Sequence, residues 1–374
     1  MKKVMIIFGT RPEAIKLSPL IIKLRKHARE LETVVCVSAQ HREILDKVLK
    51  LFEIIPDYDL NLMKDDQNLF EITGSILSEV GKVIDKHRPD IVLVQGDTTT
   101  TFAASLAAYY NRVKVGHIEA GLRTNNKYFP FPEEINRKLT GHIADIHFAP
   151  TERNKAQLLL EGIKAESVEV TGNTVIDSLF WVTDKLRHEN SAFDGLKRIE
   201  FEKKVILVTG HRRENFGQRL INVCKALKQI AERNDDAELV YPVHPNPNVR
   251  KVVQAELCGI RNVKLMEPLD YGPFVYLMEK CYFIISDSGG IQEEAPSLGK
   301  PVLVTRDRTE RPEAVDVGAV KLVGTDTKMI VEESERLLND IAYYDRFTGK
   351  RNPYGDGRAC ERIINRLRKD LDII

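Results

Sequence analysis

Short apolar runs alternate along the chain with longer stretches whose apolar residues recur every three to four positions. Residues 4–8 read as a buried strand, Gly9-Thr10-Arg11 as a turn, and Pro12 as the first position of a helix to about Arg29 whose apolar set is Ile15, Leu17, Leu20, Ile21 and Leu24. Further strands are expected at 33–37, 91–94, 113–118, 143–149 and 168–171. The helices between them run to about Phe52, to about His87, over 99–110, onward from Glu133-Glu134, and over 151–160, while 57–68 is a polar stretch. This alternation predicts a parallel sheet with helices on both faces.

The rhythm falters in a charged helical region, 177–190, and a polar stretch, 191–204, and then restarts. Strands are expected at 205–209, 238–243, 263–266, 283–286 and 301–305, with helices ending at Ile230 and spanning 273–281 and 291–298. The amphipathic stretch 357–371, with Ala359, Ile363, Ile364, Leu367 and Leu371 on one side, must pack on something. The expected fold is α/β, two Rossmann-like domains facing across a cleft, divided at 172/173 with the second domain running to 355.

The length, 374 residues, agrees with two domains. A net charge of +1 with interspersed signs argues against a nucleic-acid-coating surface. Five scattered cysteines without a C-x-x-C pair point to reduced thiols in a cytoplasmic protein rather than a zinc ribbon or disulfide frame. The apolar run after Lys2-Lys3 is too short for a leader peptide, and no stretch approaches the ~20 apolar residues of a membrane span.

The candidate chemistry gathers at predicted strand ends, where open α/β sheets bind ligands. Three acidic positions stand out: Asp97 after Gln95-Gly96, Glu119 before Ala120-Gly121, and Glu133 at a helix start. Asp97 and Glu133 also suit helix caps, whereas Glu119 follows an apolar strand and is costly there unless paired or functional. Arg11 and Lys16 flank the first helix start, and Ser288-Gly289-Gly290 opens another, both places for a phosphate. Glu294 lies roughly 6 Å further along the second helix, the reach from a phosphate to its ribose, although Glu293 and Glu294 also suit the helix dipole. His211 beside Arg212-Arg213, and His244 in Val-His-Pro, are candidate proton donors or phosphate ligands. Asp57-Tyr58-Asp59 matches the D-x-D of metal-dependent sugar transferases, but as a loop pattern it is commonplace.

Six segments in order carry a resemblance: Gly9-Thr10-Arg11-Pro12-Glu13; Gln95-Gly96-Asp97-Thr98; His117-Ile118-Glu119-Ala120-Gly121-Leu122-Arg123-Thr124; Phe131-Pro132-Glu133-Glu134-Ile135-Asn136-Arg137; Gly210-His211-Arg212-Arg213-Glu214-Asn215; and Ser286-Asp287-Ser288-Gly289-Gly290 with Gln292-Glu293-Glu294. Together they resemble the non-hydrolysing UDP-N-acetylglucosamine 2-epimerases. The resemblance implies a GT-B-type fold whose C-terminal helix, 356–374, packs back on the first domain. It implies interconversion of UDP-GlcNAc and UDP-ManNAc by elimination of UDP to 2-acetamidoglucal and re-addition, with no cofactor and no metal. It also implies a homodimer, with neither nucleic acid nor membrane as partner. Asp97, Glu119, Glu133 and His211 take the catalytic positions. UDP contacts fall on Arg11, Lys16, His211, Phe274, Ser288, Gly289, Gly290, Glu294 and Arg311. A possible site for a second, activating UDP-GlcNAc maps to Gln40, His41, Arg212 and His244, but Glu43 and Asp66 add negative charge where its diphosphate would lie. A hydrolysing 2-epimerase, a GT-B glycosyltransferase and a non-catalytic UDP-sugar sensor are the competing classes.

Overall fold

A computed structural model describes the chain except residues 39–41, 63–66, 190–192 and 374. The chain forms two compact units, Met1–Phe180 with Tyr354–Ile374, and Trp181–Pro353, and the first division falls inside the helix Thr174–Glu189.

The first unit is built on β1 (Lys2–Phe8), β2 (Leu31–Val37), β3 (Tyr58–Asp59), β4 (Ile91–Gln95), β5 (Lys114–Ile118), β6 (Ile146–Ala149) and β7 (Val168–Val170). They form one sheet in the order β3-β2-β1-β4-β5-β6-β7. Every pairing is parallel. β4 is buried along its whole length and β1 from Val4 to Phe8, as helices on both faces require. The polar stretch 57–68 was expected to form no strand, yet β3 lies at the sheet edge. There Asp57 accepts the Val35 N–H at 2.8 Å, so the D-x-D pattern closes a sheet margin.

The second unit repeats the plan with β8 (Lys204–Thr209), β9 (Ala237–Pro242), β10 (Val263–Met266), β11 (Phe283–Ser286), β12 (Val302–Val304) and β13 (Val320–Leu322). Their order is β10-β9-β8-β11-β12-β13, again all parallel. The edge strand β13 and the helices Pro247–Leu257 and Thr327–Asn339 had no counterpart in the sequence reading.

In each sheet the strand order reverses once, between β1 and β4 and between β8 and β11, and ligands of such sheets bind at that reversal. Glu13 fixes the first one. Its buried carboxyl accepts the N–H of Gly9 at 3.0 Å and Thr10 at 2.7 Å after β1, and the hydroxyls of Thr98 at 2.6 Å and Thr101 at 3.1 Å after β4. Burial raises its pKa, with these bonds opposing. Two backbone donors left unpaired in its absence would each cost about 1–3 kcal/mol.

The C-terminal segment belongs to the first unit. Asp177 accepts the N–H of Ala359 and of Cys360, each at 3.0 Å, and so caps the helix Ala359–Asp370 from outside. The buried face of that helix includes Ile363, Ile364 and Leu367, the apolar set expected from its spacing.

Candidate active site

In the first unit, β5 delivers Glu119 to the carboxyl edge of the sheet with a backbone φ of +64°, a left-handed conformation uncommon for a residue with a side chain. Its carboxylate is 7% exposed and has three partners. Lys16 reaches both oxygens at 2.6 and 2.5 Å, Asn173 donates to Oε1 at 3.3 Å, and Gln95 donates to Oε2. Lys16, assigned to UDP by resemblance, therefore engages a candidate catalytic carboxylate. Arg11 stands exposed at the start of the same helix.

Asp97 begins the turn after β4. Arg137 holds its carboxylate from Nε at 2.9 Å and from a terminal nitrogen at 2.7 Å, and Asn136 donates to its carbonyl at 3.0 Å. The cap of the following helix is Thr98, which accepts the Thr101 N–H, so the cap alternative for Asp97 gives way. Burial works against the Arg137 charge, but Asp97 and Glu134 outweigh it and raise its pKa. Buried His117 spans the turn through Nε2 and the Gly96 carbonyl at 2.7 Å. Burial lowers its pKa to about 3, so the ring is neutral and Nε2 carries the donated proton.

The acidic pair at the next helix start divides its work. Glu134 is fully buried and accepts the N–H groups of Thr124 and Asn125 at 3.0 and 2.9 Å, which shapes the loop after β5. Glu133 is half-buried, and its Oε2 is enclosed without a hydrogen-bond partner among the described residues. Asp97 and Glu119 each face a cation.

In the second unit, Asp287 organises the reversal. It is 2% exposed and accepts the backbone N–H of His211 at 3.0 Å and of Arg212 at 2.9 Å, and the Asn215 amide at 3.2 Å. The His211 ring stacks on His244 with centroids 5.7 Å apart, and Arg212 has a buried Nε without a partner. Ser288 takes the N-cap position of the helix Gly289–Glu294 without a side-chain capping bond. Arg311 packs on Gly289: a β-carbon there would lie 2.8 Å from the guanidinium carbon and would push the guanidinium aside. Glu293 fixes that guanidinium through Nε at 2.7 Å. Glu294, nearly buried, accepts the Tyr271 hydroxyl at 2.6 Å, and Phe274 sits half-buried on the helix that Tyr271 begins.

The structure thus gathers Asp97, Glu119, Glu133, Arg11 and Lys16 on one edge, and His211, Arg212, His244, Ser288, Gly289, Gly290, Glu294 and Arg311 on the other. Gln40 and His41 lie outside the described residues. Sequence reasoning gave no role to Gln95, Asn173, Arg137, Asp287 or Tyr271, and gave Glu293 only the helix dipole. Gln95, Arg137, Asp287 and Glu293 lie in quoted motifs, but only the folded contacts show which carboxylate or loop each one holds.

A family model described as UDP-N-acetylglucosamine 2-epimerase matches residues 23–368. A probable UDP-N-acetylglucosamine 2-epimerase of Ralstonia solanacearum is 56% identical over 371 residues, covering 98% of this chain and 99% of the relative. The UDP-N-acetylglucosamine 2-epimerase of Escherichia coli K12 is 55% identical, with 98% and 99% covered. Among solved structures, the Neisseria meningitidis UDP-GlcNAc 2-epimerase bound to UDP-GlcNAc superposes with a TM-score of 0.91 at 53% identity, covering 98% of this chain and all of that one. The UDP-GlcNAc 2-epimerase of Methanocaldococcus jannaschii, in complex with UDP-GlcNAc and UDP, gives 0.81 at 35% identity, with 98% and 99% covered.

The basic face of the second unit has a titratable support. Burial pushes the Glu310 carboxyl up, but Arg306, bonded to it at 2.8 Å, and the charge of Arg311 outweigh burial and bring it down to about 2. A depressed carboxyl stabilises the fold above its unfolded value, and that share is lost as pH falls from about 4.5 toward 2. Glu310→Gln should lower unfolding free energy by about 2–3 kcal/mol at pH 7, and the gap from wild type should close as pH approaches 2. Urea titrations along that pH series check this, and a gap independent of pH would contradict it.

Proposed function

Because the chain belongs to the UDP-N-acetylglucosamine 2-epimerase family, we propose that it interconverts UDP-GlcNAc and UDP-ManNAc without net hydrolysis. Solved relatives carrying UDP-GlcNAc or UDP support that substrate class. The observation that carries the reading is a charged carboxylate, Glu119, buried at a strand end in a strained backbone and tied to Lys16, Gln95 and Asn173. Backbone strain of this kind clusters at sites of chemistry.

In the forward direction, one of the carboxylates Asp97, Glu119 and Glu133 removes the C2 proton. The C–H pair forms the C1=C2 bond while the C1–O bond breaks, releasing UDP and 2-acetamidoglucal. A second carboxylate then delivers a proton to the opposite face of C2 as a β-phosphate oxygen rejoins C1. General acid–base help of this kind is worth roughly 10²–10⁴-fold. The remainder falls to groups that meet charge developing on departing UDP: Arg11, His211, Arg311 and the backbone donors at Ser288–Gly290. Glu294, oriented by Tyr271, is our assignment for the ribose hydroxyls, and Phe274 for the uracil.

The protein is further proposed to act as a homodimer in the cytoplasm. Five free cysteines, four of them buried, agree with a reducing compartment, and among the described residues no helix is long and apolar enough to cross a membrane. Tyr109 (63% exposed), Tyr110 (66%), Ile135 (37%) and Leu139 (42%), on the helices Thr99–Tyr110 and Glu133–Ile143, leave apolar surface for a second copy. Leu139→Arg should then give a monomer by light scattering, and an unchanged mass in both wild type and variant at the monomer value would remove the dimer.

Incubation of UDP-GlcNAc with the enzyme in D₂O, followed by proton NMR, tests the reaction. UDP-ManNAc carrying deuterium at C2 is expected. Free ManNAc as the main product would make the enzyme hydrolytic, and an intact C2–H would indicate a transferase or sensor. Glu119→Gln should abolish exchange while holding UDP affinity within about tenfold, since it acts on the transition state.

A further inference from the structure

We propose that Asn173 is a positioning residue for Glu119, and that it ties the carboxylate to the returning C-terminal segment. This rests on the assignment of Glu119 to proton transfer. Asn173 is 2% exposed, and each of its groups has a defined task. Its side-chain oxygen accepts the Val175 N–H at 3.1 Å, which fixes the amide orientation and turns Nδ2 toward Glu119 Oε1, 3.3 Å away. Its backbone N–H donates to the Tyr354 carbonyl at 2.6 Å.

That last bond joins two distant parts of the chain at close quarters. Gly172, at φ +88°, lies against Gly355: a β-carbon on Gly172 would stand 3.2 Å from the Gly355 Cα and 3.3 Å from the Tyr354 carbonyl oxygen. Tyr354 is 3% exposed, and Asp177 pins the helix beyond it through Ala359 and Cys360. The loop carrying Asn173 is therefore clamped on its far side by residues 354–360, and its near side presents one amide to the carboxylate. Glu119 sits just past β5 in a left-handed backbone, a conformation that the surrounding structure has to hold in place. The groups facing the carboxylate are Lys16 from the first helix, Gln95 from β4 and Asn173 from this loop. Lys16 supplies the charge, and the two amides set the direction.

Asn173→Asp isolates the contact. It is nearly isosteric and keeps an acceptor for the Val175 N–H, but it turns the group facing Glu119 from a donor into a carboxylate. A second carboxylate at that distance favours protonated Glu119, so the pH-profile limb governed by Glu119 should move up by about one unit. Misplacement of the carboxylate should lower kcat by about 10–100-fold with KM little changed. Asn173→Ala, which loses the bonds to Glu119 and the Val175 N–H, should lower kcat without moving the limb. Asn173→Asp with wild-type kcat and pH profile would overturn the proposal. So would equal losses in kcat and thermal stability for both variants with no limb displaced. Glu119→Gln in the same assays keeps the two readings apart: if it still exchanges the C2 proton, the assignment of Glu119 fails. If it is inactive while Asn173→Asp is not, only the positioning role fails.

Discussion

A carboxylate at the end of a buried parallel strand survives only if its charge is met, and the ion pair between Lys16 and Glu119 meets it. Much of the first unit depends on that pair. The helix Arg11–Lys26 carries Lys16 on its second turn, and Glu13 on its first turn locks the same helix to the turns after β1 and β4. Gln95 ends β4 and Asn173 follows β7, so three elements converge on one side chain. Removing one partner from a buried ion pair costs about 3–5 kcal/mol, which makes this cluster a structural commitment as well as a chemical one.

The two units handle charge differently. In the first, the candidate catalytic carboxylates Asp97 and Glu119 each face a cation, Arg137 and Lys16, while Glu13 and Glu134 hold backbone N–H groups. In the second, the carboxylates of Asp287, Glu293 and Glu310 are consumed in holding backbone N–H groups and arginines. Arg311 on Gly289, His211 and the Ser288 turn form the face suited to an anion. Proton transfer and the holding of a diphosphate make opposite electrostatic demands, and the roles we propose would place them on separate sheets.

The doubly wound pattern was legible because parallel strands buried on both faces read as apolar runs, and the helix 99–110 was placed to the residue. The edge strand β3, two residues among polar neighbours, and β13, with a half-exposed Lys321, carry too little apolar signal to be seen. The site residues were legible as types at strand ends, and six segments in order gave the family. Their partners were not: Lys16 meets Glu119 across 103 positions and Asn173 meets it across 54, separations that local spacing cannot encode. Cap chemistry was equally opaque, since Asp97 and Thr98 both suit a cap and only the fold shows Thr98 taking it.

In the proposed reaction the C1–O bond breaks and re-forms while both fragments stay bound. UDP-GlcNAc labelled with ¹⁸O in the oxygen bridging C1 and the β-phosphate tests this directly by phosphorus NMR at equilibrium. Elimination frees the β-phosphate to rotate, so the account predicts that the label spreads into non-bridging positions. Epimerised product with all of its ¹⁸O still in the bridge would contradict it.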